Sequence, residues 1–110
     1  MVVSPNERAK GMTNDEAFML TVRENKNALI PWYLTASWAY YWLDDPILSD
    51  VLYDSLCRQL LTEWESVDHY HKHLIDKSWL EAGTCLLSKP LYPERVKSAV
   101  EFRLLNPGWF

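Results

Sequence analysis

An all-α fold, a small bundle of four or five helices built on a helix–turn–helix core, is what this sequence predicts. Three observations carry that expectation. Apolar residues recur at three- and four-residue spacing, as they do on one face of a helix. Cap-forming side chains and helix-opening prolines stand where those stretches begin. Only three glycines occur in 110 residues, which argues against many tight β-turns and against glycine-rich phosphate loops.

The elements follow in order. Residues 1–12, with Pro5, Asn6 and Gly11 and no periodic pattern, read as a mobile leader ahead of a single helical domain over 13–110. Thr13-Asn14-Asp15-Glu16 fits a capping box, with Thr13 as the cap and Glu16 reaching back. A first helix is expected from about Asn14 to Asn27, carrying Phe18, Leu20 and Val22. Pro31 is tolerated in a first turn, so a second helix is expected from about Pro31 to Leu43. That segment is aromatic nearly all round, and such a helix is either fully buried or lines a site. Asp44-Asp45-Pro46 breaks it.

Ser49 caps a third helix, about Asp50 to Ser66, with Leu52, Tyr53, Leu56, Leu60, Trp64 and Val67 as its core stripe. Asp68 to His73 is a polar stop. Lys77 to Leu87 reads ambiguously, as a short helix closing at Gly83 or as no helix at all. Pro93 opens a final helix to about Leu104, with Glu94 favourable against its dipole. Trp109-Phe110 either folds back on the core or awaits a partner.

Composition excludes several function classes. The chain is 48% hydrophobic and 24% charged, so it folds as one small domain. A net charge of −4 disfavours nonspecific binding to a phosphate backbone and tolerates a cationic ligand or a basic partner. No apolar stretch approaches the roughly 18 residues of a membrane span. Met1 to Glu7 lacks the basic and apolar regions of a signal peptide. Cys57 and Cys85 match no zinc spacing and read as reduced thiols of a cytoplasmic protein.

The most distinctive stretch runs from Tyr40 to Leu56: an aromatic helix end, a proline turn and a capped helix opening on a carboxylate. Asp50, Tyr53 and Asp54 stand at i, i+3 and i+4 and share one helix side, at the edge of the apolar stripe beside Cys57 and Leu61. That places both carboxylates at a pocket rim, partly shielded from water. Tyr40 and Tyr41 approach across the short turn. Phenol faces and carboxylates together suit a flat cationic ring. An acidic residue at a helix start also stabilises the helix by itself, which explains Asp50 alone but not the set.

These residues resemble the N-terminal Ia domain of NAD-dependent DNA ligases. That family carries a Tyr followed by His or Tyr, a D-x-P turn, then (S/P)-D-x-x-Y-D-x-L. Tyr40, Tyr41, Pro46, Asp50, Tyr53, Asp54 and Leu56 match without a gap. The likeness extends over about residues 28–66. It implies binding of the nicotinamide mononucleotide (NMN) half of NAD. Tyr40, Tyr41 and Tyr53 would pack on the nicotinamide ring, and Asp50 and Asp54 would hold the amide and ribose. The chain departs from the family in lacking any Lys-x-Asp-Gly nucleophile, so it forms no lysyl-AMP and has no ligase activity of its own. Its acidity offers no DNA-binding face. Beyond about residue 66 the likeness ends. Stand-alone chains of this kind resemble small bacteriophage reading frames, which places this one in a bacterial host cell.

Two other readings stand beside the nucleotide-binding module. One is a phage accessory protein that uses the same scaffold to bind and inhibit a host or defence protein, as an anti-CRISPR does, anchored by Trp109 and Phe110. The other is hydrolysis of NAD with Asp50 or Asp54 stabilising an oxocarbenium-like centre, for which no second acid–base group is apparent. His69, His71 and His73 suit a metal if the segment is extended, or if His69 and His73 share a helix face. A solvated loop is the plainer reading, and no metal is expected. Cys57 reads as a small packed residue or a reactive thiol. Trp32, Trp38, Trp42 and Trp64 read as core, with one ring open to a ligand.

Overall fold

Five α-helices make up most of the described part of the chain, residues 13–101 of a computed structural model. They are α1 (Asn14–Glu24), α2 (Leu29–Tyr41), α3 (Asp50–Thr62), α4 (Lys77–Ala82) and α5 (Glu94–Glu101). Short 3₁₀ turns at Lys26–Ala28, Lys72–Leu74 and Lys89–Leu91 join them, and no strand occurs among the described residues. The all-α expectation is met. The expected leader, the end of the last helix and Trp109-Phe110 lie outside the described residues.

The caps explain the boundaries. Thr13 Oγ1 accepts the Glu16 amide at 3.1 Å, and the Thr13 hydroxyl donates to the Glu16 carboxylate at 3.1 Å. The box therefore closes through the hydroxyl. Helix α1 stops at Glu24, three residues earlier than the periodicity predicts. Asn25 turns its side-chain carbonyl to the Asn27 amide (3.1 Å) and starts the 3₁₀ turn, a local bond that competes with helix continuation. Helix α2 begins two residues before Pro31. Proline there removes an amide that a first turn leaves unpaired anyway.

At the other end of α2, Asp44 adopts a left-handed conformation (φ 51°), and the Asp45 amide returns to the Ala39 carbonyl at 3.0 Å. Aspartate tolerates that region better than a branched residue would. The turn sends α3 back across α2. Ser49 caps α3 by accepting the Leu52 amide at 3.3 Å. Helix α3 ends at Thr62, not Ser66. The Lys72 ammonium then takes the Trp64 and Val67 carbonyls (2.6 and 3.0 Å) and lies over the Trp64 ring at 4.8 Å. Gly83 (φ 68°) closes α4 in the left-handed region that favours glycine.

Helix α2 is the axis of the fold. Every residue from Leu29 to Ala39 is buried, and α2 packs against both α3 and α5. Its all-round apolar character is thus burial on all sides. The Trp32 indole meets the Phe18 ring of α1 edge-on at 5.5 Å. Trp38 packs on Tyr92 at 5.1 Å, ahead of α5. Leu56 and Leu60 of α3 are fully buried, as the stripe predicts, whereas Leu52 and Trp64 are half-buried. Of the four expected core tryptophans, Trp32 and Trp38 are buried, Trp64 is half-buried and packs against the core, and Trp42 is the open ring. Its exposure continues that of Tyr40 and Tyr41, the last two residues of α2.

Candidate functional site

Three tyrosines stack across the α2–α3 contact. Tyr33 and Tyr40 lie two turns apart on one face of α2, about 10 Å along the axis. Tyr53 of α3 inserts between them, with ring centres 6.3 Å from Tyr33 and 5.9 Å from Tyr40 and interplanar angles of 22° and 17°. Ser37 occupies the same face between the two tyrosines. Its small side chain leaves room for the ring, and its hydroxyl shares a 2.7 Å hydrogen bond with the Tyr53 hydroxyl. Burial pushes the Tyr53 phenol well above its ordinary range, and the bond to Ser37 pulls it partly back. The ring is therefore a neutral, fixed backing plate.

The outer end of the stack is open. Tyr40 and Tyr41 are 42% and 41% exposed and meet edge-on at 4.9 Å. The Tyr41 hydroxyl shares a 2.9 Å bond with the Thr84 hydroxyl, and the Tyr33 hydroxyl donates to the Thr84 carbonyl at 2.6 Å. Thr84 follows Gly83, so the end of α4 joins the tyrosines. A Cβ placed on Gly83 would lie 3.7 Å from an Asp54 carboxylate oxygen, which puts Asp54 beside the same corner.

The five residues nominated from sequence therefore divide. Tyr40, Tyr41 and Tyr53 come together. Asp50 and Asp54 share a face of α3, but both are solvent-exposed and not partly shielded. The reason is local: α3 turns its stripe of Tyr53, Leu56, Cys57 and Leu60 into the core, which leaves the first-turn carboxylate and its i+4 neighbour in water. Asp54 makes a 3.0 Å ion pair with Arg58 one turn on, a surface pair worth about 0.3–0.5 kcal/mol.

Sequence reasoning missed Tyr33, Ser37 and Thr84. For the first two a signal existed: Tyr33, Ser37 and Tyr40 are spaced to share one helix face with a small residue between two rings. Thr84 had none, because its contacts span more than 40 residues of sequence.

Cys57 lies beneath the cluster, fully buried. Burial, with the Asp54 carboxylate nearby, pushes its thiol up to about 12. That fits a packed residue and not a reactive one. At pH 8.5 it should carry on the order of a thousandfold less thiolate than an ordinary cysteine. Native protein treated with iodoacetamide should leave Cys57 unmodified long after a guanidine-unfolded sample is fully alkylated, as read by peptide mass mapping. Comparable native and unfolded rates would show that the site opens. Unfolding lets the thiol ionise at its ordinary value near 9, so its contribution to stability is lost as pH rises from there towards 12.

Two of the three histidines, His69 and His71, stack with the tyrosine between them. His69, Tyr70 and His71 pack at 4.2–5.4 Å, and His69 Nδ1 accepts the His71 amide at 3.1 Å. Burial is the main cause that lowers both His69 and His71 below the ordinary imidazole value. Among the described residues no group of three His, Cys, Asp or Glu side chains is arranged to hold a metal. No described helix is long and apolar enough to cross a membrane.

Comparison with known proteins finds no match among family models, curated proteins or solved structures.

Proposed function

We propose that the corner formed by Tyr40, Tyr41 and Tyr53, with Asp50 and Asp54 exposed on the adjoining face of α3, binds the nicotinamide nucleotide part of NAD or NMN, as a module without chemistry of its own. The observation that carries this reading is the open end of the tyrosine stack. Tyr40 and Tyr41 present partly exposed rings on the rigid backing of Tyr53. Aromatic faces attract a planar cation by about 0.5–2 kcal/mol. The exposed carboxylates of Asp50 and Asp54 supply the opposite charge and hydrogen-bond acceptors. The ligase Ia-like pattern across residues 28–66 supports the same ligand.

Titration of the ¹⁵N-labelled chain with NMN tests it. Saturable shifts should centre on Tyr40, Tyr41 and Thr84. Tyr40→Ala should weaken binding about 5- to 30-fold, the equivalent of about 1–2 kcal/mol. The reduced nucleotide, whose ring is uncharged, should bind more weakly than NMN. A folded sample that shows no saturable shift at millimolar NMN removes the reading.

A second reading has its own observation. Tyr40, Tyr41, Trp42 and Leu43 form a continuous exposed apolar run, each more than 40% accessible. Aromatic runs of this kind anchor protein partners. A host or phage protein would then dock on that edge. Trp42→Ala should weaken such a complex and leave NMN binding intact, whereas Asp50→Ala should leave the complex intact.

A further inference from the structure

Away from the tyrosine corner, helices α1 and α3 run side by side in the same direction and are tied at both ends. At their starts the Ser49 amide donates to Asp15 Oδ1 at 3.1 Å. At their ends Lys26 pairs with Glu63 at 3.7 Å, and the Asp68 amide donates to Asn27 Oδ1 at 2.8 Å. Between the ties the helices stand apart and leave an open groove of about 350 Å³. That volume falls within the range of small-molecule sites, about 300–1,000 Å³.

The walls of the groove differ in chemistry along its length. Phe18, Val22, Leu29 and Leu52 make an apolar floor. Met19 lies at the lip, half exposed, with a flexible thioether that can follow an irregular chain. On the α3 side, Gln59 and Ser55 are occupied with each other through a 3.0 Å bond. The C-terminal end carries charge. Lys26 and Glu63 neutralise one another there, with half-exposed side chains. Arg23, also on the rim, has no ion-pair partner among the described residues. The groove therefore offers an apolar trough with one uncompensated guanidinium at its end.

We infer that this groove binds a small amphipathic anion, an alkyl carboxylate whose chain lies along Phe18, Val22, Leu29 and Leu52 and whose head group meets Arg23. The guanidinium fork matches a carboxylate in two parallel hydrogen bonds. Burial of the chain supplies the remaining free energy as its methylenes leave water. None of the five residues of the tyrosine corner lines the groove, so this inference stands or falls independently of nucleotide binding.

Titration of the full ¹⁵N-labelled chain with sodium decanoate, kept below its micelle concentration, tests it. Saturable shifts should map to Met19, Val22, Arg23, Leu52 and Gln59. Decyltrimethylammonium, with the same tail and the opposite charge, should bind at least about tenfold more weakly, and Arg23→Gln should weaken decanoate about fivefold or more without moving the thermal unfolding midpoint. Tyr40→Ala should leave decanoate binding unchanged. Absence of saturation, equal affinity for the two detergent ions, or full affinity in Arg23→Gln overturns the inference. So does self-association of the ligand-free chain through the same residues, since the groove would then belong to a second copy.

Discussion

Trp32→Ala should lower the free energy of unfolding by about 3–5 kcal/mol, a large share of the roughly 5–15 kcal/mol that a domain of this size has. The indole is fully buried in the axial helix and meets Phe18 of α1 edge-on. Its removal leaves a cavity that α1 can fill only by sliding across α2. That motion is opposed by the Asp15–Ser49 and Lys26–Glu63 ties at the two ends of α1 and α3. Urea unfolding followed by far-ultraviolet circular dichroism measures the loss without depending on the tryptophan signal. A loss below about 1 kcal/mol would mean that α1 is not anchored through this contact. Phe18→Ala should be of comparable size, and the double variant should lose less than the sum, because one cavity serves both deletions.

Ser37→Ala should be the next most damaging, at about 1–3 kcal/mol, although it deletes one oxygen atom. It strips the Tyr53 hydroxyl of its 2.7 Å partner in a buried site. Tyr53→Phe should be milder. The remaining Ser37 hydroxyl can turn back to the carbonyl four residues earlier in α2, an alternative that a phenol on α3 does not have. The double variant Ser37→Ala/Tyr53→Phe should recover part of the loss, since neither polar group is then stranded. Equal costs for the two single changes, with strict additivity, would show that the bond contributes nothing specific. Because Tyr40 rests on the Tyr53 ring, Ser37→Ala should also shift the Tyr40 resonances, whereas substitution of the exposed Asp50 should not.

Thr13, Ser49 and Gly83 each announced a helix boundary, and each stands at one, because caps are local devices whose partners lie within a few residues. Where no strong local stop exists, the apolar period runs on past the true helix end, as at Glu24 and Thr62. The end of α3 is set by Lys72, which reaches back to Trp64 and Val67 from beyond the helix. The face shared by Asp50, Tyr53 and Asp54 was correctly read. The depth of that face was not, since periodicity gives an angle around the helix and not a distance from water. Tyr53 went inward and the two carboxylates stayed out.

What the amino-acid sequence determined unaided is the helical class, the capped helix starts at Thr13 and Ser49 and the break at Asp44-Asp45-Pro46. Each of these depends on residues close in the chain, where steric preference and hydrogen bonding act directly. The tertiary structure alone decided that Thr84 closes the tyrosine corner, that Trp42 faces solvent while Trp38 does not, and that α1 and α3 leave a groove ending at Arg23. Those outcomes depend on how whole helices settle against α2. Burial is a property of the assembled globule, and no local stretch of chain encodes it by itself.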